Sequence, residues 1–478
     1  MISVVIAATD NFLFNMRGTG MTATKEKKNV YKKYVRRLYT ISSVIIAYIS
    51  AVTLWYYNVG VLWSPGFTGR RTLFIVGVLY CAVYWFFAKM YNAHKIGLYR
   101  LVELTFSQLL TYAISDIFLF GASFVWFHNF KRIHVSYYLI AFVTQMFVVV
   151  VLIFICNRLF AKVDTPRNVS IIYGNDSYKF LIEKMKAYKY RYKIVKCVSE
   201  DENWKSICTA IDKCEDVYLY EINSKLSNKI VMYCDKIHRE VHMTPSIEDI
   251  VTRGFDVSHA FDTPFIKNKK STAAWYYPGV KRIFDVVCSL ISLVVLSPIL
   301  IITALAIKLY DHGPVFYKQV RMTKGGNEFK IYKFRSMIPD AEKGTARLAA
   351  ANDDRITPVG KVIRATRIDE LPQFINILKG DMSFVGPRPE RPEIARQYEE
   401  KIPEFSLRLA VKAGLTGYAQ VYGKYNTTPL DKLKLDLLYI TNQSITLDLK
   451  ILFYTVKIIF VPESTEGVDE NQETAYKE

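Results

Sequence analysis

Two adjacent carboxylates, Asp369 and Glu370, stand in a run of cations, with Arg364 and Arg367 before them and Arg388 after. A carboxylate beside positive charge stays ionised at neutral pH. It can attack phosphorus, dividing one transfer into two steps through an aspartyl phosphate. The same cations neutralise a phosphate that would otherwise repel it. A diphosphate substrate brings Mg²⁺, held by one or two carboxylates plus phosphate oxygens, which makes Asp369 and Glu370 the candidate metal ligands. After the pair, Leu371, Phe374, Ile375 and Leu378 recur at helical spacing and Gly380 follows. That predicts a helix with Asp369 near its N-cap and Pro372 in its first turn. Read alone, Asp369 is better explained as a helix cap, so the elements around it have to decide.

The chain has 478 residues, a formal charge of +19 and 14% aromatics, so it has room for two or three domains and favours anionic partners. None of its seven cysteines forms a C-x-x-C pair, which excludes a zinc ribbon and fits a reduced compartment. No cleavable signal peptide is evident, and Met21 is a second candidate start. A basic N-terminus (1–37) precedes four apolar runs at 39–59, 72–91, 103–127 and 135–160, each long enough to cross a bilayer. They predict a four-helix transmembrane bundle over 38–163 that returns the chain to the cytoplasm. Asp116, the acid in the middle of the third run, is expected to serve helix packing.

Residues 164–270 alternate like a doubly wound α/β unit, with strands at 168–173, 192–199 and 216–222. At the dinucleotide fingerprint position stands Ile-Ile-Tyr-Gly-Asn-Asp, one glycine where three are needed, so this Rossmann-like domain is degenerate and should bind no dinucleotide. Oligomerisation, as a homo-oligomer, or regulation is the role left to it. His238 and His242 share a face of an expected surface helix.

A fifth apolar run, Ile283 to Leu309, is broken by Ser297-Pro298 and flanked by cations at both ends: Lys281 and Arg282 before, Lys308, Lys318, Arg321 and Lys324 after. A helix that enters one leaflet, turns at Ser-Pro and leaves on the same side satisfies both features, giving a re-entrant helix over 281–310. Beyond it lie a strand with alternating cations (330–337), a mobile loop (339–354), two amphipathic segments (430–440 and 447–460) suited to the headgroup plane, and an acidic, disordered tail (463–478). There is no Walker loop, H-E-x-x-H, G-x-S-x-G or kinase-type loop.

From Lys281 to Phe460 the chain resembles the bacterial sugar transferase family, the monotopic polyprenyl-phosphate phosphoglycosyl transferases. The resemblance rests on Lys-Arg-x-x-Asp (281–285), Ser-Pro (297–298), Gly-Pro-Val-Phe (313–316), Lys-Phe-Arg-Ser-Met (333–337), Asp-Glu-Leu-Pro-Gln (369–373) and Gly-Pro-Arg-Pro (386–389). It implies that a catalytic domain fills 271–462, that Asp369 attacks the β-phosphate of a UDP-sugar, and that Glu370 completes the dyad. Arg364, Lys333 and Arg388 would hold phosphate; Lys281, Arg282, Asp285, Ser297 and Pro298 would anchor and bend the re-entrant helix. The implied acceptor is undecaprenyl phosphate, with Mg²⁺ as cofactor, membrane lipids as surroundings, the inner membrane's cytoplasmic face as location and no nucleic acid as partner. A plain hexose donor is expected over an acetamido sugar. Thr323 and the Lys412-Ala413 pair depart from the family pattern. The readings left beside this one are a membrane-anchored nucleotide-sugar dehydratase and a catalytically decayed assembly scaffold.

Overall fold

The computed structural model describes residues 21–60, 69–127, 134–163, 166–186, 191–252, 256–260, 263–267, 273–338, 355–423 and 427–459. The expected loop at 339–354 and tail at 463–478 lie outside them. The four apolar runs form α1 (Met21–Trp55), α2 (Arg70–Met90), α3 (Leu101–Phe127) and α4 (Val135–Val163). Each contains a stretch long and apolar enough to cross a membrane: Val30–Asn58, Arg70–Met90, Leu101–Val125 and Val135–Ala161. Polar side chains turn inward. Asp116 Oδ1 accepts from Tyr80 at 2.7 Å and from Gln145 Nε2 at 3.3 Å, and the same amide donates to Ser50 Oγ at 2.5 Å. One acid thus gathers side chains from all four helices, the packing role expected of it.

The chain divides into two compact units, Met1–Thr244 and Pro245–Glu478. After the bundle, the first unit alternates β1 (Arg167–Tyr173), α5 (Tyr178–Lys186), β2 (Tyr192–Ser199), α6 (Trp204–Asp212), β3 (Asp216–Tyr220), α7 (Ser224–Lys236) and β4 (Glu240–Met243). The strands are all parallel, in the order β2-β1-β3-β4. In such a sheet ligands bind where the order reverses, beyond the ends of β1 and β3. Here the protein's own acids occupy that end: Glu200 Oε2 accepts from Asn223 N at 2.8 Å, and Glu221 pairs with Asn175. The expected helical His pair is not formed. His238 follows α7 in a left-handed conformation (φ 55°), and His242 lies on β4, stacked on Tyr218 with centroids 4.5 Å apart. The helix ends early because β4 pairs with β3, so the two imidazoles never share a face. Asp216, Glu240 and His242 do cluster, but Arg167 bonds both carboxylates, at 3.1 and 2.8 Å.

The second unit opens with α8 (Ile247–Thr252) and the hairpin β5 (Asp256–Ala260)–β6 (Thr263–Lys267), then α9 (Tyr277–Val295) and α10 (Ser297–Asp311). α9 and α10 meet at a 61° bend. Pro298 in the first turn of α10 has no N–H to give, and Ser297 Oγ donates to Val294 O at 2.7 Å. Ile283, Leu290, Val294, Ile302 and Leu309 are all exposed along the pair. There follow the antiparallel hairpin β7 (Phe316–Met322)–β8 (Glu328–Phe334), α11 (Pro358–Ala365), a 3₁₀ turn at Ile368–Glu370, α12 (Gln373–Lys379) and β9 (Met382–Val385). After them come α13 (Pro392–Lys401), a 3₁₀ stretch Pro403–Ala410, β10 (Ala413–Thr416) parallel to β9, α14 (Tyr418–Tyr422), α15 (Pro429–Thr441) and α16 (Ile445–Ile459). Ile331, Phe374, Ile377, Phe384, Ile451 and Tyr454 share one core; Ile250, Phe405, Leu433 and Leu437 share another. α15 and α16 therefore cover protein with their apolar faces, rather than lipid as their amphipathic pattern suggested.

Candidate active site

The dyad is not at a helix cap. Arg367 adopts a left-handed conformation (φ 58°), uncommon for a residue with a side chain. It separates α11 from the 3₁₀ turn that carries Asp369 and Glu370. Pro372, not Asp369, is the N-cap of α12, and Gly380 ends that helix at φ 94°, as its position predicts. The left-handed step stops α11 from continuing, so the carboxylates project from a tight turn.

Two cations converge on Glu370. Lys333 Nζ, from β8, and Arg388 Nη2, from the loop after β9, each donate to Oε1 at 3.2 Å. The period of two puts Lys333 on the inner face of the hairpin, whereas Lys330 is exposed and on the other face. Burial alone would raise the Glu370 carboxyl, but Lys333, Arg388 and Arg367 outweigh it and hold it well below the usual carboxylate range. Glu370 in turn raises Arg388, and burial lowers Lys333. Asp369 is treated differently. Among the described residues, its buried Oδ1 has no hydrogen-bond partner. Burial, then the neighbouring Glu370 charge, raise its carboxyl against the opposing pull of Lys333, Arg364 and Arg367. The site thus holds one carboxylate fixed in ion pairs and one left uncommitted.

Residues of α9 brace this arrangement from below. Arg282 donates to Ile377 O and Leu378 O, both at 2.7 Å, capping α12 at its C-terminal end. Lys281 Nζ reaches Asp448 Oδ2 (2.7 Å), Tyr439 OH (2.8 Å) and Val385 O (2.9 Å). Asp285 Oδ1 accepts from Phe384 N at 3.1 Å. The bent pair is therefore tied to both segments that carry the site, α12 behind the dyad and β9 before Arg388. Ser297 and Pro298 act only at the bend. Behind Arg388, Gly386 and Gly414 pack backbone to backbone, where any Cβ would collide.

Sequence reasoning missed several participants. Tyr439 and Asp448 complete the Lys281 site, and Thr323, set down as a departure, meets the other departure: its Oγ1 donates to Asp381 O at 2.8 Å and accepts from Ala413 N at 3.2 Å. Arg408 had no local signal at all.

The profile of the bacterial sugar transferase family matches residues 276–462, the stretch that holds the bent helix pair and the dyad. Among similar proteins, an Aeromonas hydrophila UDP-N-acetylgalactosamine-undecaprenyl-phosphate N-acetylgalactosaminephosphotransferase is 39% identical over 229 residues, 47% of this chain and 53% of that protein. A Klebsiella pneumoniae UDP-glucose:undecaprenyl-phosphate glucose-1-phosphate transferase is 44% identical over 189 residues, 38% of this chain and 41% of that one. The match thus spans about half or less of those two relatives. The exopolysaccharide production protein PSS of Rhizobium leguminosarum bv. phaseoli is 42% identical over 198 residues, 39% of this chain but 96% of its own length. The shared stretch is nearly a complete protein in that organism, and the chain built around it here belongs to the bacterial sugar transferase family.

Proposed function

We propose that this protein transfers sugar 1-phosphate from a UDP-sugar to undecaprenyl phosphate at a bacterial inner membrane, releasing UMP and starting exopolysaccharide synthesis. One observation carries the reading: Glu370 is locked by two cations while Asp369, beside it, has a buried oxygen without a partner among the described residues. An Asp369 oxygen attacks the β-phosphorus of the donor. The bond from that phosphorus to the bridging oxygen breaks, and its electrons leave on UMP. The acceptor phosphate then attacks the same phosphorus, the Asp369 O–P bond breaks, and the carboxylate returns. Arg364, Arg388 and Lys333 offset the phosphate charge. The partnerless Asp369 oxygen and the hard oxygen donors of both carboxylates fit Mg²⁺, which Asp369 and Glu370 would hold and which would neutralise the diphosphate.

Topology supports a lipid acceptor. Both ends of the bent pair carry exposed aromatics of the interfacial type, Trp275 and Tyr276 at one end and Tyr310 at the other. A re-entrant pair would put both ends, and the dyad with them, on one face, and the cations at both ends favour the cytoplasmic one. The relatives' names include an acetamido and a plain hexose, so a comparison of UDP-glucose, UDP-galactose and UDP-N-acetyl sugars identifies the donor; the plain hexoses are expected to react faster. The test is UMP release by the purified full-length protein. Asp369→Asn should abolish it even without lipid acceptor and Glu370→Gln should impair it severely, whereas robust turnover by Asp369→Asn would refute the mechanism.

A further inference from the structure

Between β9 and α13 the chain runs from Gly386 to Arg391 without regular structure, yet it carries Arg388 to the dyad. Four successive carbonyls of this loop are held. Pro387 O accepts from Gly414 N at 2.9 Å, Arg388 O from Arg408 Nη2 at 2.9 Å, Pro389 O from Arg321 Nη1 at 3.0 Å and Glu390 O from Met322 N at 3.0 Å. Two of these donors are guanidiniums from distant segments, Arg321 on β7 and Arg408 in the Pro403–Ala410 stretch. Each is itself aimed from behind. Arg321 donates through Nε and Nη2 to Gln319 Oε1 at 3.0 and 2.6 Å. Arg408 donates to Asp436 Oδ2 at 2.8 Å, and its Nη1 lies 3.5 Å from Glu390.

We propose that Arg408 and Arg321 are positioning residues, clamping the carbonyls of Arg388 and Pro389 so that the Arg388 guanidinium stays on Glu370 and the donor phosphate. Gripping the carbonyls on either side of Pro389 fixes the backbone that leads from the Arg388 Cα. Their side chains are only 7% and 18% exposed and already engaged, so they are built to hold the loop rather than to meet phosphate themselves. The inference rests on the phosphoryl-transfer reading. A misplacement of about 1 Å at such a group costs on the order of 100-fold in rate.

The test is a double-mutant cycle on the full-length protein in nanodiscs, read as UMP-release kinetics with thermal melting beside it. Arg408→Lys and Arg321→Lys keep the charge but lose the second arm of the fork. Each should lower kcat by roughly 10- to 100-fold, with a smaller change in donor KM. In an Arg388→Ala background the same substitutions should cost less than about 2-fold, because the group they aim is gone. Equal fold-losses in both backgrounds would overturn the clamp and leave a general structural role. If Arg408→Lys fails to fold, the Arg321→Lys cycle decides by the same criterion. Wild-type protein that releases no UMP from any UDP-sugar is a different result, which removes the underlying reading and the clamp with it.

Discussion

Asp369 and Glu370 are adjacent carboxylates whose environments push them apart. Glu370 receives Lys333 and Arg388 and stays ionised far into acid; Asp369 is desolvated, sits beside that fixed negative charge and takes up a proton more readily than an ordinary aspartate. Separated titrations in one site are how neighbouring acids acquire different roles. The sign for metal binding follows. A proton on Asp369 would compete with the proposed Mg²⁺, so affinity should weaken as pH falls, with protons released on binding. Calorimetry over a series of falling pH values on the wild type and Asp369→Asn checks this. Pronounced pH dependence is expected in the wild type only, and equal dependence in both would assign the competing proton elsewhere. At this scale the sequence was informative about residue types. The acids and Arg388 could be read directly, but which acid is free could not. Glu370's partners come from 37 and 18 residues away, and only folding shows that both choose the same oxygen.

Elements that depend on local pattern were legible. The four apolar helices follow from run length, and the α9–α10 bend follows from a missing N–H at Pro298. The dyad's turn was not, because the left-handed Arg367 separates α11 from the turn and no composition rule announces such a residue. Nor was the His238/His242 arrangement, where strand pairing overrode helical spacing. The bend makes a sharp topological prediction. Cysteines introduced at Tyr276 and at His312, in a background without the native thiols, should both react with an impermeant reagent from the cytoplasmic side alone. Reaction of one of them from outside would make α9 and α10 a single kinked span.

Across the whole molecule, a four-helix bundle and a parallel α/β domain precede a unit matched by a relative with almost nothing else. The α/β domain keeps the strand order of a nucleotide binder, yet Glu200 and Glu221 occupy the end where a pyrophosphate would lie. Negative charge there opposes phosphate, and Glu200 already takes the Asn223 N–H at the start of α7. Calorimetry on the full-length protein should detect no NAD or NADP binding; micromolar affinity would contradict this. The central claim is that the phosphosugar rests on Asp369 between donor and acceptor. Its most direct test uses full-length protein in nanodiscs without polyprenyl phosphate, given UDP-sugar labelled at the β-phosphate. About one equivalent of UMP should be released per chain, with the label on the peptide containing Asp369 and passing to lipid once undecaprenyl phosphate is added. Release of UMP only when acceptor is present, with no labelled protein at any time, would contradict it.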